Sequence, residues 1–531
     1  MAQAATIALA ARSPSTPADA ERIDPLRLVA FLAMCFGMFM AFLDIQVVSA
    51  SLSEIQAGLA ASSDEITWVQ TSYLMAEVVA IPLSGFLSRA LGTRIMFATA
   101  AGGFTIASLM CGLSSSMGEM IVWRALQGFI GGGMVPTVFA SAYAIFPRSR
   151  QPVITPLIGL VATLAPTIGP TVGGYLTDML SWHWLFFINI VPGIVVTIAA
   201  ITLIDFDRPD LKLFERFDFV GLTFMALFLG ALEYVLEDGP RYDWFEDSTI
   251  TLAAVASASA AIVFFIRVLT ARQPIVDLRS FVDRNFALGS MFSFVLGIGL
   301  YGLTYLYPVF LNEIRGFDAL MVGETVFVSG ATMFLTAPIV GRLMTTIDPR
   351  LMLALGFALV GLSNWETTYI TRDWDFAQLF LPQALRGFGM MLAIVPITSI
   401  SLGTLSPEML KNGSGLFNLT RNLGGAVGLA GLNTVLDKRI DLHLARLHES
   451  ITWSRQPVVE ALHNFAARMP GSDAQNMALK YLYLFTRQQG LVMAFADVFL
   501  LLCLLFLLAA PFVWLMRRPP PVTGGATVDA H

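Results

Sequence analysis

Long apolar runs alternate with short polar, often basic, connections along almost the whole chain. A run of about 20 apolar residues is long enough to cross a bilayer as a helix. Fourteen such runs stand out, at 28–50, 67–88, 95–114, 119–143, 153–177, 184–204, 219–237, 250–268, 286–311, 320–343, 350–370, 377–403, 413–436 and 491–516. Most are rich in Gly, Ala, Ser and Thr, which let helix backbones approach closely in lipid. The pattern predicts an all-α integral membrane protein.

A repeat organises these runs. Ala80–Met96 (AIPLSGFLSRALGTRIM) and Thr336–Met352 (TAPIVGRLMTTIDPRLM) align without a gap, matching Pro82 with Pro338, Gly85 with Gly341, Leu87 with Leu343, Arg94 with Arg350 and Met96 with Met352. Each copy joins the end of one span, a short basic loop and the start of the next. The copies fall at spans 2–3 and 10–11, so setting two spans aside leaves six plus six in register. The expected division is a tail at 1–27, a six-helix bundle at 28–204, two inserted helices with linkers at 205–285, a second bundle at 286–516 and a tail at 517–531. Between spans 13 and 14, Asp437–Gln489 carries Ile440, Leu444, Leu447 and Ile451, then Val458, Leu462 and Phe465, at helical spacing. One or two amphipathic helices are expected there, either a solvated decoration or a docking surface for another protein. Two related halves around a central cavity are the usual plan of a secondary transporter.

Charge placement sets the expected orientation. With the N-terminus inside, the inner segments carry Arg89, Arg94, Arg148, Arg150, Arg208, Lys212, Arg216, Arg267, Arg272, Arg279, Arg284, Arg342, Arg350, Lys411, Arg517 and Arg518. The short outer loops carry Arg241, Arg315 and Arg372. Both termini are therefore expected in the cytoplasm, and Glu237–Asp247 is an acidic outer loop. Only 13% of the 531 residues are charged, 56% are hydrophobic and the formal net charge is −6. Soluble domains run nearer a quarter charged, and the missing basic excess argues against nucleic acid as a partner. Cys35, Cys111 and Cys503 lie in apolar runs, which disfavours a disulfide framework or metal site. There is no P-loop, no HExxH and no Cys/His cluster, so neither ATP-driven transport nor metal catalysis is expected, and no cofactor. No clustered nucleophile and base suggests an enzyme.

Ionisable groups inside spans are functional candidates because burying them in hydrocarbon is costly. Asp44 in span 1 and Arg124 in span 4 lie at matching depths and can pair, as a proton-coupling site or as a static ion pair. Glu77, mid-way along span 2, has no basic residue at i±3 or i±4. It is a second candidate proton carrier, or a cavity-lining acid without an essential role. Arg421 forms a polar stripe with Asn418 and Asn422, readable as a packing network or as a cavity wall. Gln46, Phe139, Tyr143, Tyr301 and Tyr305 are the other cavity candidates, and Phe310 is a weaker one. Arg386-Gly-Phe echoes Gln127-Gly-Phe. Glu233, Glu366 and Asp497 lie near span ends, where water is expected to reach them. In span 5, Pro166 and Pro170 remove helix donors and should bend the span, while Gly169, Gly173 and Gly174 admit a neighbouring backbone.

Several of these segments resemble motifs of the major facilitator superfamily, in its fourteen-span drug:proton antiporter branch of EmrB- and QacA-like proteins. Gly85-Phe-Leu-Ser-Arg89-Ala-Leu-Gly92-Thr-Arg94 is similar to the loop motif between spans 2 and 3. Arg124-Ala-Leu-Gln127-Gly128 is similar to the span-4 motif, and Ala165–Gly174 to the antiporter motif. Leu43-Asp44, Trp182–Asn189 and Asn418–Gly425 resemble signatures of the branch. The sequence departs at Arg89, where the motif has an acid that helps latch the halves, at Thr93, and at Asp348 in the second copy.

The resemblance implies two six-helix bundles plus two inserted helices, in a bacterial cytoplasmic membrane. It also implies proton-driven export of amphipathic small molecules by alternating access. In two-membraned bacteria it implies a periplasmic adaptor and an outer-membrane channel as partners. Export of a specific metabolite or siderophore would use the same machinery. A non-transporting membrane sensor is the reading from another class.

Overall fold

The computed structural model describes residues 25–518 other than 63–64, 148–149, 206, 318 and 469–472. The expected tails therefore lie outside the described residues except at their inner ends, as does Arg148. Every long element among the described residues is helical: α1 Pro25–Ser49, α2 Leu52–Gly58, α3 Trp68–Gly112, α4 Met117–Gly131, α5 Met134–Ile145, α6 Gln151–Met179, α7 Trp184–Phe187, α8 Ile190–Leu203, α9 Phe219–Asp238, α10 Ser248–Thr270, α11 Arg284–Arg315, α12 Ala319–Leu343, α13 Pro349–Thr367, α14 Phe376–Gly403, α15 Pro407–Ser450, α16 Gln456–Ala467 and α17 Ala474–Phe512. Ten helices among the described residues are long and apolar enough to cross a membrane, counting α4–α5 and α7–α8 each as one. Their outer faces carry exposed apolar residues, such as Val191, Val195 and Ile198 on α8 and Leu252, Val255 and Ile262 on α10. Such faces suit lipid rather than water.

α3 is one of the ten but reverses direction within itself. Tyr73 and Phe104 lie on either side of Gly92, yet they meet Gly128 and Gly131 of the same helix, α4. A straight helix would hold Tyr73 and Phe104 about 47 Å apart at 1.5 Å per residue. The turn falls at Gly92, with φ +76° and ψ 157°, a conformation essentially confined to glycine. In the second copy Asp348 replaces this glycine. It caps α13 instead, its carboxylate accepting from the Arg350 backbone N–H at 3.0 Å.

The repeat extends into packing. A Cβ on Gly128 would strike the carbonyl oxygen of Tyr73, and one on Gly387 would strike that of Ser329. Tyr73 and Ser329 stand nine residues before Pro82 and Pro338 respectively. Arg94 donates to the Ile204 carbonyl just past the end of α8, and its counterpart Arg350 donates to the Met516 carbonyl just past α17, at 3.1 Å. Sequence-distant parts then meet along two seams. α15 packs on α3 and α5, and α6 packs on α12 and α14. α9 also packs on α3 and on α15.

Between the last two spans, the expected separate amphipathic segment is largely a prolongation of the spans. α15 runs unbroken to Ser450 and α17 starts at Ala474, because Asp437–Ser450 contains neither Gly nor Pro to stop it. Asp497, within the last span on α17, ties that helix to the α15 extension, meeting His443 Nε2 at 2.7 Å and Arg439 Nε at 3.5 Å. The one separate helix, α16, lays Phe465 against Tyr481 with ring centroids 4.7 Å apart.

Candidate functional site

Asp44, Arg124 and Gln127 converge in a fully dry place. The Asp44 and Arg124 side chains are both completely buried. Arg124 Nη1 donates to Asp44 Oδ2 at 2.6 Å, and its Nε donates to the Val69 carbonyl at 3.0 Å. Gln127 Nε2 and Asn189 Nδ2 donate to Asp44 Oδ1 at 3.1 and 2.8 Å. Asn189 also reaches Ser108 Oγ at 3.1 Å, and the guanidinium lies 4.3 Å from the Tyr73 ring centroid. The acid is thus surrounded by three donors from α4 and the start of α8. Both Asp44 oxygens therefore have donors, and in a low-dielectric site leaving any one of these hydrogen bonds unmade is costly. Asn189 was absent from the sequence-derived candidates, although it ends the Trp182–Asn189 signature. Its role depends on α8 folding back onto α1, which local spacing does not reveal.

Glu77 is different. It is 4% exposed, and no hydrogen bond or ion pair to its carboxylate appears among the described residues. Glu233 on α9 is also buried, at 6% exposed, so the expectation that water reaches it from a span end is corrected. Its helix continues past it to Asp238 and packs on α3, which carries Glu77.

A small cavity lies where α1 meets α11 and α15, lined by Phe42, Ile45, Gln46, Leu300, Tyr301, Thr304, Asn418, Arg421 and Asn422. Tyr301 OH donates to Asn422 Oδ1 at 3.2 Å, and Asn418 Nδ2 donates to the Ser414 carbonyl at 2.9 Å. The Arg421 guanidinium lies 5.4 Å from the Phe139 ring centroid and 5.2 Å from that of Phe417. The remaining aromatic candidates lie elsewhere. Tyr143 faces Thr155 across 3.3 Å, Tyr305 is 38% exposed, and Phe310 packs on Phe495 at 5.5 Å.

The loop motif closes the Arg-rich side. Gly85 admits the start of α15, where a Cβ would stand 2.9 Å from the Lys411 carbonyl oxygen. Lys411 Nζ donates to the Ser88 carbonyl at 2.9 Å and pairs with Asp207. Asp207 also accepts from Thr93 N and Oγ1 at 2.8 and 2.9 Å. Arg89 turns back to its own helix, donating to the Gly85 carbonyl at 3.3 Å. Asp207, from the loop after α8, thus ties Thr93 of α3 to Lys411 of α15. In α6 the backbone stays helical through Pro166 and Pro170, and the Pro166 side chain lies outside what is described. Gly169 packs on Gln46. Gly173 packs on α1, where a Cβ would stand 2.9 Å from the Val47 carbonyl oxygen, while Gly174 is only partly buried.

A helical membrane protein with repeated halves, a buried charge cluster and a polar cavity between them is a transporter in design. The chain belongs to the Major Facilitator Superfamily, whose family model matches residues 34–429. It is 39% identical to the colistin resistance protein EmrB of Acinetobacter baumannii, over 92% of this chain and 96% of that one. It is 32% identical to the fatty acid resistance protein FarB of Neisseria gonorrhoeae, over 93% and 96%. It is 29% identical to the multidrug export protein EmrB of Escherichia coli K12, over 94% and 97%. The crystal structure of the human organic anion transporter MFSD10 superposes with a TM-score of 0.57, covering 91% of this chain and all of that one, at 14% identity. That likeness confirms the fold.

Proposed function

We propose that this protein is a proton-coupled efflux transporter of amphipathic small molecules, working by alternating access between its two halves. The observation that carries the reading is Glu77, a buried carboxylate without a partner beside the seam where α15 meets α3. An isolated carboxylate in hydrocarbon takes up and releases a proton as water reaches it from one side and then the other. Coupling requires the proton and the cargo to favour different states of the same equilibrium. Asp44, fully paired with Arg124, is the fixed anchor of this arrangement, holding α1, α4 and α8 together as the seams open.

The relatives named for colistin, fatty acid and multidrug resistance support export of amphipathic compounds. On this reading the chain crosses a bacterial inner membrane fourteen times with both termini in the cytoplasm. The extended ends of α15 and α17 then project on the far side, where an adaptor would dock.

The test is transport by the purified protein in vesicles with an imposed pH difference and a panel of amphipathic dyes. Wild type should move dye only with the gradient, and Glu77→Gln should abolish the gradient dependence. Vesicles that move no compound, or a Glu77→Gln variant that still follows the gradient, would refute the reading.

A further inference from the structure

On the face opposite the Arg-rich side, a groove of about 280 Å³ runs between the end of α11 and the start of α17. Its lining combines apolar Leu484, Phe485 and Leu491 with the charged Glu313 and Arg487. The two helices are tied together there, Gln488 Nε2 donating to the Ile314 carbonyl at 2.7 Å. The Arg372 guanidinium lies 4.6 Å from the Phe485 ring centroid, and Arg315 Nη1 donates to the Arg372 carbonyl at 3.1 Å. The groove is thus a fixed feature of the fold. Glu313 on α11 and Arg487 on α17 are opposite charges that do not meet. Neither side chain has a hydrogen bond or an ion pair among the described residues, and both are exposed.

Depth along the helices says what this pair faces. The apolar run of α11 ends at 311 and that of α17 begins at 491. Glu313 and Arg487 therefore stand a few residues beyond those ends, about 3–6 Å along their helix axes. A hydrocarbon core of about 30 Å inside a bilayer of about 40–45 Å leaves a headgroup layer of about 5–7 Å on each side. Both charges fall within that layer. The groove is smaller than most sites for drug-sized ligands, but it has room for a headgroup whose acyl chains continue into the bilayer. A headgroup with both a phosphate and an ammonium satisfies the two charges at once. A purely anionic headgroup would satisfy Arg487 and meet Glu313 as a like charge.

We propose that the α11–α17 groove binds the headgroup of an aminophospholipid in the leaflet on that face, with Arg487 on the phosphate and Glu313 on the ammonium. Arg487 supplies a planar fork that suits phosphate oxygens. Glu313 accepts from the ammonium hydrogens. Tyr481, at the groove's upper rim, is 44% exposed, as suits an amphipathic ring near a membrane surface. The site requires the chain to lie in a bilayer, but not to move a cargo.

The experiment titrates the purified full chain, stripped of lipid in a neutral detergent. The probes are phosphatidylethanolamine, phosphatidylglycerol with the same acyl chains, and O-phosphoethanolamine as the free headgroup. Native mass spectrometry counts what stays bound. Wild type should hold one phosphatidylethanolamine about fivefold more tightly than phosphatidylglycerol, the scale of one exposed ion pair. Glu313→Gln should erase that preference by weakening phosphatidylethanolamine alone, whereas Arg487→Gln should weaken both lipids. Thermal unfolding checks that each variant is folded, and if one is not, the other and the wild-type preference decide. Equal or tighter binding of phosphatidylglycerol by wild type overturns the proposal, as does an unchanged preference in a folded Glu313→Gln. O-phosphoethanolamine bound as tightly as the lipid would mark a site for soluble ligands and overturn it too. No gradient is applied, so a protein that holds the lipid but moves nothing would sink the transport reading alone. One that pumps dye and shows no lipid preference would sink this proposal alone.

Discussion

Arg386 occupies in the second half the place that Gln127, not Arg124, occupies in the first. Arg124-Ala-Leu-Gln127-Gly128-Phe and Gln383-Ala-Leu-Arg386-Gly387-Phe are the same hexapeptide with its first and fourth residues exchanged. Gly128 and Gly387 fix the correspondence, since each abuts the equivalent carbonyl of the neighbouring helix. In both halves the arginine donates to the glutamine one turn away, at 2.7 Å in the first and 3.3 Å in the second. The exchange moves the guanidinium by one turn, about 5 Å along the axis. Arg124 thereby meets Asp44, while Arg386 meets Thr304 and, among the described residues, no acid. In the first half this site is electrically closed, whereas in the second Arg386 has no carboxylate partner among the described residues.

Breaking the closed half should be expensive. Removing one partner of a buried ion pair typically costs about 3–5 kcal/mol, because the other charge is stranded. Asp44→Asn and Arg124→Gln should each lower thermal stability sharply, and the double variant should cost less than their sum. Asn189→Ala should cost about 1–3 kcal/mol by leaving Asp44 Oδ1 short of a donor. Denaturation in detergent, analysed as a double-mutant cycle, checks all of these, and additive losses would contradict the geometry.

The Lys411–Asp207 pair bridges the start of α15 and the loop after α8, and both side chains are mostly buried. Asp207→Asn or Lys411→Gln should weaken closure of the Arg-rich side by about 1–3 kcal/mol. That corresponds to a roughly 5–150-fold shift between closed and open states. Maleimide labelling of a Gln46→Cys variant should be faster in either background. The native cysteines are buried and should stay silent.

Gly92 carries a backbone conformation that a side chain rarely adopts, so Gly92→Ala should cost about 1–3 kcal/mol. Gly128→Ala and Gly387→Ala test a different cause, overpacking against a carbonyl, with a cost of similar size. Alanine at Gly118, which has open space around it, is the control and should be nearly neutral. Thermal unfolding of the four variants in parallel separates position from residue type.

Asp247 caps α10, and the Ile250 and Thr249 backbone N–H groups hold its carboxyl below the usual carboxylate range. A depressed folded value means that the charged cap stabilises at pH above the unfolded value near 4. The contribution is lost as pH falls through the lower folded value. Asn caps about as well as Asp without the charge. The unfolding temperatures of wild type and Asp247→Asn should therefore differ at neutral pH and converge on acidification.

The sequence by itself determined the class of structure, because lipid admits few alternatives. Runs of apolar residues long enough to cross must satisfy their backbones internally, so composition and spacing suffice to announce helices. The aligned junctions at Pro82 and Pro338 likewise revealed the repeat, and Asp44 with Arg124 could be paired by depth alone. Tertiary structure decided what each charge faces. That Asn189 completes the Asp44 cluster, that Asp207 links α3 to the start of α15, and that Arg421 has no carboxylate partner among the described residues all depend on contacts between helices far apart in the chain. Hydrophobic periodicity constrains where a helix lies, but it leaves its rotation and its neighbours open, and in a dry interior those set the electrostatics.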